Sequence, residues 1–268
     1  MNKKAKSTLT KMENFMRVGN YSERTISTYI SYAKKFLFSF NKDAYHISQK
    51  EIEDYLMNFQ YSSVSQQNQI INCIKLLSTK ILKKKLRDLD IIRPRKEKKL
   101  PKIINQSQLI CTIKKIENLK HKAIISLGFS CGLRVSEVIN LKIQDIDSKR
   151  MLISINNAKG KKDRIVPLTN ALLSILRDYF KQYRPKDYLF NGQRSLKYSA
   201  NSCNKIVKKY FGNQYHFHQL RHSSFTAMLE NGTDISIIQK IAGHNSSKTT
   251  QIYTHISTST LSKVQMPL

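Results

Sequence analysis

The chain has 268 residues, with 47 Lys plus Arg against 18 Asp plus Glu and a formal net charge of +29. That length allows one large domain or two modest ones, each able to bury a core, and 40% hydrophobic residues exclude wholesale disorder. So large a positive excess points to a polyanionic partner. No window approaches the run of about 18 apolar residues that a membrane span needs.

The opening MNKKAKSTLTKMENF is basic and lacks the apolar run of a signal peptide, so a soluble, cytoplasmic protein without a membrane contact is expected. Thr10 and Glu13 have capping-box spacing, as do Ser48 and Glu51. From Glu23 to Phe40, the positions Ile26, Tyr29, Ile30, Ala33, Phe36, Leu37 and Phe40 form one apolar stripe, the pattern of an amphipathic helix. A second such helix is predicted over Ser65 to Lys85, buried along Ile70, Ile74, Leu77 and Ile81. It closes on Lys83, Lys84 and Lys85, where positive charge suits a helix C-terminus. Residues 1–92 therefore read as a small helical bundle.

RPRKEKKLPK follows at residues 93–102, with two prolines and six basic residues around one acid. Such a segment is extended and packs poorly, either as a solvated tether or as a strap crossing a phosphate backbone. Beyond it, over residues 103–268, the pattern becomes mixed. Helices are predicted at Ser107 to Ile116, Lys120 to Ser130 and Val135 to Leu141. A hairpin then pairs Met151 to Ile155 with Arg164 to Leu168 across NNAKGKKD. Further helices are predicted at Ala171 to Tyr183, Ala200 to Phe211, His218 to Glu230 and Ser236 to Ile241, with Asn231–Gly232 ending the third of these. Residues 1–93 hold 17 basic and 8 acidic side chains and residues 94–268 hold 30 and 10, so both halves are basic and a charged tail does not explain the excess. Cys73, Cys111, Cys131 and Cys203 form no CxxC pair, which argues against zinc-ribbon and disulfide frameworks. Cys73 and Cys131 fall within apolar patterns and read as buried thiols.

HFHQLRHSSF, His216 to Phe225, concentrates three histidines and an arginine. His218 and His222 have the four-residue spacing of metal ligands. A zinc peptidase of the HExxH kind needs a glutamate where Gln219 stands, and Arg221 would repel a divalent ion. A structural role suits His216 or His222. Arg221 lies on the face of His218 and offers a guanidinium fork that matches two phosphate oxygens. Other segments supply comparable groups. CGLRVSEVINL sets Arg134 after a glycine at a helix start, where backbone amides attract anions. NAKGKKDR places Lys159 at the hairpin turn, and AGHNSSKTTQIYTHIS supplies His244 and then Tyr253 on a short final helix. Each has a plain reading on its own: Arg134 pairs with Glu137, Lys159 is one solvated lysine among several, and Tyr253 packs at a helix end.

Together these segments resemble the tyrosine recombinase (phage integrase) family over nearly the whole chain. Arg134 in GLRVSE, Lys159 in AKGKKDR, His218 and Arg221 in HQLRH, His244 in AGH and Tyr253 in IYTH match its catalytic positions in order. Ala242 stands where many members have leucine, which alters packing but removes no reacting group. The resemblance implies a mostly α fold with a small β-sheet: an N-terminal SAM-like core-binding domain, a linker and a mixed catalytic domain. It also implies metal- and cofactor-independent cleavage and rejoining of DNA through a 3′-phosphotyrosyl ester. In that scheme Arg134 and Arg221 clamp the phosphate, Tyr253 attacks, His218 serves as general base, His244 bonds a phosphate oxygen, and Lys159 protonates the leaving 5′ oxygen. Glu137 takes a supporting role beside Arg134. The resemblance further implies a DNA-associated protein whose partners are double-stranded recombination sites, further protomers in a tetramer on synapsed DNA and, as an optional addition, accessory DNA-bending proteins. The tail HISTSTLSKVQMPL either packs on its own domain or docks on a neighbouring protomer through Leu261, Val264, Met266 and Leu268. A type IB topoisomerase-like relaxase and a non-catalytic DNA-binding regulator are the competing functions.

Overall fold

Helix formation starts earlier than the Thr10–Glu13 spacing suggests. The computed structural model describes residues 3–85, 101–156, 163–193, 195–244 and 247–253. In it helix α1 (Lys3–Val18) runs through Thr10, whose hydroxyl donates to the Lys6 carbonyl at 3.1 Å rather than capping anything. A mid-helix threonine satisfies itself one turn back in this way. Burial of Met12 and Met16, both 0% exposed, holds the helix down on its unit.

The chain divides into two compact units, Met1–Lys98 and Lys99–Leu268. In the first, α1 is followed by α2 (Glu23–Phe38), α3 (Gln49–Asn58) and α4 (Val64–Leu76). The expected stripe of α2 buries Ile26, Ala33, Phe36 and Leu37. Phe36 packs edge-on against Phe40 and Tyr55 with ring centroids 5.2 and 4.9 Å away. Ser48 forms the expected capping box with Glu51. The long helix predicted to Lys85 instead passes into a π-turn at Leu77–Ile81, closed by Leu82 N–H to Leu77 C=O at 3.0 Å. The wider turn carries both Leu77 and Leu82 into the core, where a straight helix would part them. Lys84 then donates to the Ile47 carbonyl. Cys73 is buried and its thiol is pushed up to about 12 by desolvation, so it behaves as a core residue.

The second unit is arranged around α6 (Leu119–Ser130), whose residues Ala123 to Gly128 are all buried. A helix apolar on every side belongs in a core, and α6 packs between α8 (Asn170–Tyr183) and α10 (Phe217–Glu230). Helices α5 (Gln106–Lys115), α7 (Val135–Asn140), α9 (Ala200–Phe211), α11 (Ile235–Ala242) and α12 (Ser247–Thr250) complete the helical part. Asn105, Asn118, Thr169, Ser199 and Asp234 each accept a backbone N–H as N-caps, which fixes where these helices begin. The predicted hairpin forms from β2 (Leu152–Ile155) and β3 (Arg164–Pro167), with Ile153 opposite Val166. A two-residue strand, β1 (Ile146–Asp147), adds to β2 in the antiparallel order β1-β2-β3. It is too short to leave a period-two signal. Asp145, buried, accepts from Asn156 Nδ2 and from the Lys142 N–H, both at 2.8 Å, and so ties down the root of the hairpin. Among the described residues no helix is long and apolar enough to cross a membrane.

Candidate active site

Four segments of the second unit converge on one cluster of side chains, and the first arrives through a glycine. After α6, Gly132 takes φ +59, and a Cβ there would lie 2.5 Å from Cε1 of Phe225. Only glycine both accepts the left-handed conformation and lets the chain pass under that ring. Two residues on, Arg134 occupies the N-cap of α7. Gly132→Ala is therefore expected to lower the unfolding midpoint and to misplace Arg134, which thermal melts and DNA-cleavage assays on the purified variant would register. An unchanged melt with full cleavage would contradict this account of the turn.

Glu137 is the electrostatic hub. Its carboxylate accepts from the Arg134 backbone N–H and from Arg134 Nη1, each at 2.8 Å. Arg164 Nη1 and Nη2 grip the same two oxygens, again at 2.8 Å each, while Arg164 Nε donates to the Ile241 carbonyl at 2.7 Å. Burial alone would raise the Glu137 carboxyl, but the bonds and charge of Arg164, then Arg134, hold it at about 2. Arg164 was not singled out from the sequence. It ends the AKGKKDR segment and opens β3, the second strand of the expected hairpin, and only the folded chain brings it to Glu137. Gly243, at φ +60, closes α11 against Arg164, whose Cδ would stand 3.1 Å from a Cβ there. That contact gives the AGH glycine its reason.

From α10 come His218, Arg221 and His222, which share a face by three- and four-residue spacing. Gln219, the position that excluded a zinc peptidase, accepts the His216 N–H at 2.8 Å and caps the helix. Among the described residues no cluster of three or more His, Cys, Asp or Glu could hold a metal ion. Arg221 is 1% exposed. Nη1 donates to the Gly132 carbonyl and Nη2 to the Ala242 carbonyl, both at 2.6 Å, so the guanidinium bridges the Arg134 and His244 segments. It also lies 4.7 Å from the centroid of the Phe225 ring. Desolvation and then Arg134 draw its pKa down to about 9, which leaves it charged at neutral pH.

His244 Nε2 lies 3.1 Å from Arg221 Nη2. Arginine only donates, so this nitrogen accepts and the imidazole is neutral, with Nδ1 donating to Thr250 Oγ1 at 3.0 Å. Burial first, then Arg221 and Arg134, lower its pKa to about 4, in agreement with that tautomer. His218 is exposed, and its ring meets that of His222 edge-on at 4.4 Å. Its pKa is also driven down, by desolvation of its inner edge and then by Arg221.

Tyr253 ends a 3-10 turn, Gln251–Tyr253, directly after α12. It is 3% exposed and packs edge-on against Phe225 at 5.4 Å. Its hydroxyl lies 3.2 Å from His222 Nδ1, not on His218. Burial raises the phenol to about 12, while Arg221 and Arg134 act to lower it. The phenol thus stands within the field of both arginines even though its face is covered. Arg134, Glu137, His218, Arg221, His244 and Tyr253 are brought together, and Lys159 lies outside the described residues.

A cluster of arginines, histidines and a tyrosine drawn from GLR, HxLR, GH and IYTH on this helical scaffold defines a class. The chain belongs to the phage integrase family, whose model matches residues 96–260, while the family's N-terminal SAM-like domain matches residues 9–88. It is a site-specific tyrosine recombinase acting on DNA. Tyrosine recombinase XerA of Pyrococcus horikoshii is 32% identical over 93% of this chain and 89% of its own length. A tyrosine recombinase of Pseudothermotoga lettingae is 30% identical over 91% and 93% respectively. A crystal structure of XerA recombinase aligns over 98% of this chain and 100% of its own, with TM-score 0.56 and 28% identity. The fold is also that of the XerH recombinase in its pre-cleavage complex with difH substrate, at TM-score 0.70 and 22% identity over 91% of this chain and 79% of that one.

Proposed function

We propose that this recombinase cleaves one DNA strand at a time through Tyr253 and rejoins it to a partner strand without a metal. The observation that carries the reading is the convergence of segments far apart in sequence: Arg221 Nη2 lies 3.1 Å from His244 Nε2, Arg221 holds the Gly132 carbonyl two residues before Arg134, and the charges of Arg221 and Arg134 both act on Tyr253. Attack on a phosphodiester builds negative charge on the nonbridging oxygens. A pair of guanidiniums in a pocket of low dielectric supplies the counter-charge without reorganisation. Glu137 and Arg164 hold Arg134 in place, and His244 buttresses Arg221. The phosphotyrosyl ester stores the energy of the broken bond, so rejoining needs no nucleotide. Lys159, which lies in sequence between β2 and β3, protonates the leaving 5′ oxygen in this scheme.

Residues 1–92 form the core-binding domain and 103–268 the catalytic domain, joined by the basic linker 93–102, so that both halves grip the duplex through salt-sensitive phosphate contacts. The family's N-terminal SAM-like domain match and the basic charge of both halves support this division. Protomers act as a tetramer on two synapsed sites, aided by DNA-bending proteins. A dimer of lambda integrase on a core site has the same fold, at TM-score 0.71 and 16% identity. The biological role is that of a Xer-like or mobile-element recombinase.

The test uses duplexes tiled across DNA flanking the chain's own coding sequence, each nicked so that a cleaved strand end diffuses away. A covalent adduct should accumulate, with peptide mass spectrometry placing the 3′-phosphate on Tyr253. Adducts on another residue, or none across the tiled set, would overturn the reading.

A further inference from the structure

We infer that a second phosphate of the cleaved strand, within about three nucleotides of the scissile one, is held by Lys142 and Lys197 in a cleft at the far end of α7. This rests on the recombinase reading above and names one of its backbone contacts. The cleft has a volume of about 500 Å³ and is lined by Ser136 and Asn140 of α7, Lys142, Asn156 just past β2, Tyr188 and Lys197. Both ammonium groups are gathered against one ring, Lys142 Nζ at 5.3 Å and Lys197 Nζ at 4.4 Å from the Tyr188 centroid. Lys197 Nζ also donates to Asn140 Oδ1 at 2.8 Å. Two like charges placed so repel each other, and an anion between them relieves the repulsion.

The acids lining the cleft are already engaged. Glu137 is held by Arg134 and Arg164, and Asp145 accepts from Asn156 Nδ2 and the Lys142 N–H. Asp187 pairs with Lys142 at 3.1 Å, with the two side chains 59% and 36% exposed. Such an exposed pair contributes under about 1 kcal/mol, so a phosphate displaces it. Lys197 meets Asn140 and Tyr188 and, among the described residues, no carboxylate. Its charge is open to a ligand. The position of the cleft relative to the reacting centre follows from α7, which begins next to Arg134. Its six residues set Asn140 about 9 Å from that arginine, and successive phosphates of one strand rise by about 3.4 Å along a duplex. For a strand running along α7 with its scissile phosphate on Arg134, a phosphate within about three nucleotides reaches the cleft. The helix fixes the spacing of the two sites, so the cleft holds the strand in register with Arg134.

The test compares the full-length wild type with a double variant, Lys142→Gln with Lys197→Gln, which keeps two long polar side chains and removes both charges. On a random-sequence duplex, the slope of log affinity against log salt should become shallower by about one, because one phosphate is no longer neutralised. Lys142→Arg with Lys197→Arg should keep the wild-type slope. On the duplex that traps the wild type, single uncharged methylphosphonates are then placed at each of the three phosphates on either side of the cleavage point. One of them should weaken wild-type binding about tenfold and leave the glutamine variant unaffected. Lost packing around Tyr188 would instead weaken the variant without changing the slope or singling out a phosphate. An unchanged slope, or methylphosphonates that weaken both proteins alike at every position, would overturn the inference while adduct formation through Tyr253 stands. Absence of any wild-type adduct would remove the reading beneath it, and the slope on random duplex would still decide whether the two lysines hold a phosphate.

Discussion

Tyr253→Phe is expected to eliminate the covalent protein–DNA adduct while leaving a folded, DNA-binding protein. The substitution removes one oxygen. The ring keeps its edge contact with Phe225, and the loss of the bond to His222 costs about 1 kcal/mol, so the fold has little reason to yield. Binding should survive because it draws on phosphate contacts spread over a chain of formal charge +29. Chemistry has no such reserve, since a nucleophile is either present or absent. Denaturing gels of trapped reactions, run beside mobility shifts of the same samples, separate the two properties. A variant that binds and still forms adduct would mean that another side chain carries the strand.

Glu137→Ala should be the most damaging change to stability among the site residues. It strips the counter-charge from Arg134 and Arg164 together, in a setting where the Glu137 and Arg164 side chains are 4% and 8% exposed. Breaking a buried pair by removing one partner costs about 3–5 kcal/mol, because the partner's charge is left uncompensated. The pH dependence gives a second check. Glu137 is held at about 2 in the folded protein, below the roughly 4.3 of an unfolded glutamate. A lowered folded pKa contributes stability that is full above the unfolded value and disappears as pH falls through the folded one. The gap between wild type and variant in urea melts should thus be widest near neutrality and narrow between about pH 4.3 and pH 2. A gap that stays constant across that window would mean that the carboxylate is not the source of the stability.

Several features were legible before folding because they are local. The Ser48–Glu51 capping box, the α2 stripe, the β2–β3 hairpin and the stop at Gly232 depend on residues a few positions apart, and each appears in the structure. The same local rules misled at Thr10, where caps and mid-helix threonines share a spacing, and at Leu77, where a π-turn shifts the register by one residue. Arg164 was passed over, and His222 was given only a structural role, for a different reason. Each sits beside a more conspicuous candidate in its own motif, Lys159 and His218, and nothing in the local spacing says which cation will face Glu137 or which imidazole will face Tyr253.

The sequence by itself determined the family resemblance carried by its motifs, the mostly helical class, the basic character of both halves and the order of the candidate site residues, since motif spacing, periodicity and composition are read without the fold. Only the tertiary structure decided how those side chains are wired. Arg221 reaches carbonyls 89 and 21 positions away, Arg164 closes on a carboxylate 27 positions back, and Tyr253 meets a histidine 31 positions earlier. Hydrogen bonds of 2.6 to 3.2 Å over such separations require the packing of α6, α10 and α11 to place both partners at once. Their tautomers and ionisation follow from that placement, and from burial that no stretch of neighbouring residues encodes.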